Sequence, residues 1–341
     1  MALAAGFDEA SIVDGYLRGP KDSLESTMDG VTGNHVWCSV KVDGEYRFVD
    51  CWLASPWHPQ NEGRLESHWF LCTPGDMIYT HYPSEAADQY LEPPISITTF
   101  FTLPYVCVPF FWHHMAVTEY QPGCCDIVED DQVCHLTLRV DPDVACYAEV
   151  ETRSHKPTAT VTAVEKTRGL AQCYFDSAGE RLCKIKAVLP PDQPMGWLKI
   201  YAGPRVKPVG EHQQARQEKI NSQHYPLALV FKLTRQHPPI TDRARPAFMF
   251  VQLHVCPDEF YINEPQCYQL YPLQTYNFSI KSDHHHKLAI RSPGGKLFKL
   301  MYFPQDHIYN GSVTVGEAGQ WSLICLLNHA GGWYVVASWH C

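Results

Sequence analysis

The stretch Asn34–Asp50, NHVWCSVKVDGEYRFVD, reads as a β-hairpin, and the rest of the chain is read outward from it. Apolar and polar residues alternate loosely from Val36 to Val42 and again from Glu45 to Trp52. Between them, Asp43-Gly44 offers the positive-φ pair that a two-residue hairpin turn requires. With that turn, Val42 faces Glu45 and Trp37 faces Asp50. His35 and Asp50 are then diagonal neighbours on one face, with Cβ atoms roughly 7–8 Å apart or a little less. A carboxylate at that reach accepts an imidazole N–H and fixes the ring tautomer. The pair is a base and its orienter. A His and an Asp on one hairpin face also serve as a plain structural pair, and acyl chemistry would need a nucleophile as well. Cys38 is the first cysteine of the chain, and its place on the strand puts it on the opposite face from His35. Cys51, beside Asp50, points the same way as Cys38.

N-terminal to the hairpin, Met1–Gly6 has the small, apolar character of a helix end stopped by glycine. Ser11–Leu17 reads as a short strand and Arg18–Gly33 as a polar loop. Beyond the hairpin, Cys51–Leu65 reads as an ordered loop with Trp52 and Trp57 in its core, Ser67–Leu71 as a strand with Trp69, and Thr73-Pro74-Gly75 as a turn. Pro93-Pro94 closes this first unit. From about Thr118, short alternating runs recur every 8–12 residues or so: Cys134–Val140, Cys146–Val150, Thr158–Val164, Ala171–Phe175, Leu182–Val188, Trp197–Tyr201 and Pro226–Leu233. After a proline-rich linker at His237–Pro246, the same texture returns in Met249–His254, Tyr276–Ile280, Lys287–Arg291, Leu297–Tyr302, Gly311–Val315, Trp321–Leu327 and Trp333–Trp339. Gly196-Trp197 and Gly319 with Trp321 open corresponding apolar strands, an internal echo of one sandwich domain used twice.

The expected layout is therefore a partial α+β domain at 1–94, a connecting segment at 95–117, a β-sandwich at 118–236, a linker at 237–246 and a second β-sandwich at 247–341. A chain of 341 residues with 45% hydrophobic residues can bury cores of that number. Its formal net charge of -10, with no Lys/Arg cluster, argues against a nucleic-acid or anionic-membrane partner. The longest apolar run, Phe100–Trp112, is broken by Pro104 and Pro109 and is too short to span a bilayer. Fourteen scattered cysteines without a C-x-x-C pair read as reduced thiols of a cytoplasmic protein. His284 and His286 could share a metal ion only from a strand, and a solvated turn explains them as well. Vicinal Cys124-Cys125 lack a basic neighbour that would activate a thiol. His81, His113 and His114 show no metal-ligand spacing and read as structural. No cofactor and no metal are expected.

Several motifs together resemble the transglutaminase-like domain of the kyphoscoliosis peptidase group. They are Gly15-Tyr16, Asn34-His35-Val36-Trp37, Val49-Asp50, Trp69-Phe70-Leu71 and Ile78-Tyr79-Thr80-His81-Tyr82-Pro83. That group includes animal muscle proteins and is similar to fungal cytokinesis proteins carrying the same domain. Leu288–Leu300 and Trp333–Cys341 resemble the immunoglobulin-like domains that follow it. The implied fold is multidomain, a truncated transglutaminase/papain-like α+β domain followed by two immunoglobulin-like sandwiches. The resemblance implies a Cys-His-Asp triad with His35 as base, Asp50 as orienter, and Asn34 and Trp37 as supporting residues. It places the cysteine at the head of a helix ending near Gly6, so the chain is expected to lack its nucleophile and to be inactive in acyl transfer. With an upstream segment restored, the implied activity is that of a cysteine peptidase or acyl transferase. Without it, an interaction scaffold with cytoskeletal or sarcomeric protein partners is expected.

Overall fold

The computed structural model describes residues 4, 6–7, 9–19, 32–119, 126–127, 133–154, 163–205, 219–235, 248–256, 258–326 and 333–341. The chain divides into two compact units, Met1–Trp112 with Leu229–Lys232, and His113–Ala228 with Leu233–Cys341.

Among the described residues, the main sheet of the first unit is made of β1 (Ala10–Leu17), β2 (His35–Val42), β3 (Glu45–Val49), β4 (Phe70–Cys72) and β5 (His81–Pro83). They form one antiparallel sheet in the order β4-β3-β2-β1-β5. The hairpin register is the expected one, Val42 opposite Glu45 and Cys38 opposite Val49, and Asp43 and Gly44 take φ of 51° and 84°. Strict alternation sends Val13, Trp37 and Phe48 to one side, where they pack with Ala54, Trp69, Cys72 and Met77. Gly15 is fixed by this packing. A Cβ there would lie 2.3 Å from the Tyr82 carbonyl oxygen and 2.5 Å from Trp37 Cη2. Short helices follow at α1 (Pro74–Met77), α2 (Ile97–Thr102) and α3 (Val108–Trp112), and the two-residue strand β6 (Tyr105–Val106) pairs with Leu229 and Val230.

Several expectations need correction here. The returning strand ends at Val49 rather than Trp52, because the Asp50 carboxylate accepts from the backbone N–H groups of Trp52 and Leu53 and turns the chain. Ser67–Leu71 is not one strand. The Glu66 carboxylate accepts from His68 N and winds Ser67–Trp69 into a 3-10 turn before β4. Thr73 caps a helical turn rather than a simple bend. Trp52 and Trp57 are exposed, while Trp69 alone of the three is core. Of Met1–Gly6, residues 4 and 6 alone are described, Gly6 with φ 97°.

Among its described residues, the second unit is mainly strands. Its first part holds β7 (Ala116–Glu119), β8 (Asp126–Ile127), β9 (Cys134–Arg139), β10 (Val144–Ser154), β11 (Ala163–Arg168), β12 (Leu170–Phe175), β13 (Arg181–Ala187), β14 (Met195–Pro204) and the two ends of β15 (Leu227–Arg235), whose middle, Leu229–Lys232, belongs to the first unit. Two sheets result, one running β11-β10-β14-β15 and the other β12-β13-β9-β7. The strand expected at Thr158–Val164 begins only at Ala163 among the described residues. Cys124-Cys125 and the linker at His237–Pro246 lie outside the described residues.

The remaining strands are β16 (Gln252–Leu253), β17 (Tyr261–Glu264), β18 (Thr275–Lys281), β19 (Lys287–Arg291), β20 (Leu297–Lys299), β21 (Met301–Phe303), β22 (Ile308–Thr314), β23 (Gln320–Leu326) and β24 (Trp333–His340). They make a second pair of sheets, β16-β24-β23-β19-β20 and β17-β18-β22-β21. Phe278, Ile280, Ile290, Tyr309, Trp321, Leu323 and Trp339 fill the core. The single strand expected at Leu297–Tyr302 is two, because the chain leaves β19 and joins β22 at the buried Leu300. Met249–His254 contributes only the two residues of β16, and β17 carried no sequence expectation. The echoed tryptophans Trp197 and Trp321 are both buried near the start of long strands.

Candidate functional site

At the end of the β2–β3 hairpin, three polar side chains converge in the first unit. His35 opens β2, Asp50 follows the last residue of β3, and His81 opens β5. The diagonal relation set by the hairpin brings His35 Nε2 to 2.6 Å from Asp50 Oδ2. His81 Nε2 approaches the same oxygen at 3.0 Å. The other oxygen, Oδ1, accepts from Trp52 N at 2.9 Å and Leu53 N at 2.8 Å. A carboxylate that is fully buried thus has four donors around it, as a buried charge requires. Burial pushes the Asp50 carboxyl up, but the hydrogen bonds from His35, His81 and the Leu53 N–H outweigh it and hold the group well below the usual carboxylate range. It is an anion at any physiological pH.

The two histidines differ in their surroundings. His81 is buried, and desolvation drives its imidazole toward the neutral form despite the attraction of Asp50. Its Nδ1 lies 2.8 Å from Thr80 Oγ1, which fixes the ring from behind. Trp37 and Trp69 meet it edge-on, with centroids 5.0 and 5.4 Å away. His35 keeps 14% of its side-chain surface open and stacks on Trp37. With its Nε2–H given to Asp50, the basic nitrogen of neutral His35 is Nδ1. The site therefore presents one unprotonated ring nitrogen, Nδ1, on a ring oriented by a fixed anion. Trp37 is buried, and its indole N–H has no hydrogen-bond partner among the described residues.

Asn34 does something different. Its side chain accepts from Leu17 N at 2.7 Å and donates to Leu17 O at 3.1 Å, so it ties the end of β1 to the start of β2. Cys38 and Cys51 neighbour each other, and burial followed by the Cys51 thiol raises the Cys38 thiol. Among the described residues, no thiol is hydrogen-bonded to His35. Burial pushes Cys72 and Cys107 up to about 12, which makes both inert.

His35, Asp50 and His81 also form the one group among the described residues whose ligand atoms lie close enough to share a metal ion. Their N···O separations of 2.6 and 3.0 Å are those of direct hydrogen bonds. His286, by contrast, sits 3.2 Å from Asp258 and edge-on to His284, in a loop before β19 rather than on a strand. Sequence reasoning had set His81 aside as structural. Its signal was the need of a buried Asp50 for donors, visible only once the burial of that carboxylate is known.

Residues 253–341 match the family described as the CYK3 C-terminal Ig-like domain. The C-terminal domain is immunoglobulin-like. The chain is 28% identical over 350 residues to cytokinesis protein 3 of Schizosaccharomyces pombe, covering 96% of this chain and 37% of that protein. To cytokinesis protein 3 of Saccharomyces cerevisiae it is 27% identical over 337 residues, covering 90% of this chain and 36% of that protein. It therefore spans little more than a third of the length of these relatives. A shorter similarity, 25% over 144 residues, links 38% of the chain to 20% of the Lim and transglutaminase domain protein ltd-1 of Caenorhabditis elegans. The relatives are thus cytokinesis proteins and a transglutaminase-domain protein. No helix among the described residues is long and apolar enough to cross a membrane.

Proposed function

We propose that residues 1–94 are a transglutaminase/peptidase-like domain of the kyphoscoliosis group, followed by two immunoglobulin-like sandwiches at 118–236 and 247–341, and that this polypeptide acts by binding proteins of the dividing cell's cytoskeleton. In this reading His35 is the base and Asp50 its orienter. The observation that carries it is the 2.6 Å contact that commits His35 Nε2 to Asp50 and leaves Nδ1 for a thiol. In a Cys-His-Asp site, that nitrogen takes the thiol proton, the thiolate attacks an acyl carbon, and water or an amine resolves the thioester. Among the described residues no thiol occupies that position, so the described residues provide the base and the orienter without the attacking group. Supplied with a thiol at Nδ1, the same geometry would support peptidase or acyl-transfer chemistry.

Similarity to two cytokinesis proteins along nearly the whole chain supports a cytoplasmic, cytoskeleton-associated role. The test has two arms. The purified chain should incorporate no fluorescent amine into casein, and His35→Ala should leave the alkylation of Cys38 and Cys51 by iodoacetamide unchanged. Loss of either label in the variant would show that a local thiol does serve His35. A tagged chain should collect at the division site with or without His35→Ala. A diffuse signal would overturn the binding role.

A further inference from the structure

Away from the hairpin, the second unit holds a cluster of three thiols that the proposed function does not use. Cys173 on β12 and Cys183 on β13 are directly opposed in the antiparallel register. Cys183, fully buried, neighbours both Cys173 and Cys146 of β10. Arg181 shares the inward face of β13 with Cys183, and Cys173 is half-buried. A cavity of about 110 Å³ is lined by Cys146, Cys173, Arg181 and Arg205. That is ample for a molecule little larger than water, since a single water needs only about 10–15 Å³ on such a measure.

Backbone geometry already favours a covalent link. Directly opposed residues of an antiparallel pair have Cα atoms about 4.5 or 5.5 Å apart, inside the range of about 4.4–6.8 Å that disulfides span. Their Cβ atoms, about 4.5–5.5 Å apart, lie somewhat beyond the disulfide optimum, so the bond would close under strain and be readily reduced. The chemistry of the thiols points the same way. The neighbouring Cys183 thiol lowers the Cys173 thiol, burial opposes this, the Arg181 guanidinium lowers it further, and Glu259, ion-paired with Arg181, raises it. A half-buried thiol that lines a cavity within reach of the Arg181–Glu259 ion pair has the access a reactive cysteine needs.

We propose that Cys173 and Cys183 are a peroxide-oxidisable thiol pair that closes to a reversible disulfide across β12 and β13. The Cys173 thiolate attacks hydrogen peroxide; an S–O bond forms, the O–O bond breaks and hydroxide leaves. Cys183, deprotonated by that hydroxide, attacks the sulfenic sulfur; the S–S bond forms and the second hydroxide departs, taking up the proton of the original Cys173 thiol as water. The two sulfurs lose two electrons and the peroxide gains two. Cys146, in contact with Cys183, stands ready as a third thiol for exchange.

The test treats the intact chain with a few equivalents of hydrogen peroxide, blocks remaining thiols and maps peptides without reduction. Trypsin cuts after Arg181 and so separates the two cysteines. The expected product is a Cys173–Cys183 cross-linked peptide, about 2 Da lighter than the sum of its reduced parts and resolved by dithiothreitol. In Cys183→Ser, Cys173 should instead be trapped as a dimedone adduct, and Cys173→Ser should yield no link. Because the decisive mapping uses the unaltered protein, a variant that fails to fold does not affect it. Oxidation of exposed Cys51 with Cys173 and Cys183 left reduced would overturn the proposal, and so would a Cys146–Cys183 link in place of the expected one.

Discussion

The His35–Asp50–His81 cluster and the Phe278–Trp321–Trp339 core both sit in antiparallel sheets, yet they spend burial on opposite ends. In the core of the C-terminal domain the inward side chains are mainly apolar, and its two buried tryptophans have their indole N–H satisfied, Trp321 donating to the Glu317 carbonyl and Trp339 to the Pro265 carbonyl. In the first unit an anion and an imidazole are buried among tryptophans, and one indole N–H has no partner among the described residues. An apolar core is stabilised by area. A polar one is held by matched donors, and it is where chemistry becomes possible.

Single substitutions should affect the two regions separately. Phe278→Ala empties a fully buried ring position that meets Trp339 edge-on at 5.2 Å, and should cost the C-terminal domain about 3–5 kcal/mol in denaturant unfolding. Asp50→Asn keeps size and shape but turns an acceptor shared by two imidazoles into a donor. It should destabilise the first unit by about 2–3 kcal/mol while leaving amide-exchange protection of the C-terminal domain intact. If Asn were tolerated at Asp50 without loss, the charge would have no structural role.

A smaller effect follows from pH. Burial lowers His68 to about 4, and burial also lowers His81, so the folded first unit prefers both rings neutral. As pH falls below about 6.5, the unfolded chain takes up protons that the folded one refuses. Stability of the first unit should therefore decline from about pH 6.5 downward, through about 4 for His68. Asp50, with its folded value depressed, contributes stability above about pH 3.9 that is lost as pH falls further through that lower value. His68→Gln should make the decline between about 6.5 and 4 shallower, measured as the urea midpoint against pH. The C-terminal domain should show no such difference between the two proteins.

Much of this was legible in the sequence because local rules govern hairpins. Asp43-Gly44 set the turn, the turn set the register, and the register brought His35 to Asp50 before any tertiary contact was considered. The alternating strands of the C-terminal region were readable for the same reason, with Lys287–Arg291 bounded as expected. What escaped depended on distant partners. His81 joins the site through a strand paired to β1, some thirty positions beyond Asp50, and no periodicity marks it. The strand ending at Val49 and the 3-10 turn at Ser67–Trp69 were set by single carboxylates, Asp50 and Glu66, competing for backbone N–H groups. The switch of sheets at Leu300 likewise needs the second sheet in place before it can be seen.

Asp50 commits Nε2 of His35 and leaves Nδ1 as the basic nitrogen. Long-range ¹H–¹⁵N correlation spectra of the histidine rings read this directly at neutral pH. Neutral His35 should carry its proton on Nε2, with an unprotonated Nδ1, and this signature should be lost in Asp50→Asn. A neutral His35 protonated on Nδ1, or one unaffected by Asp50→Asn, would contradict it.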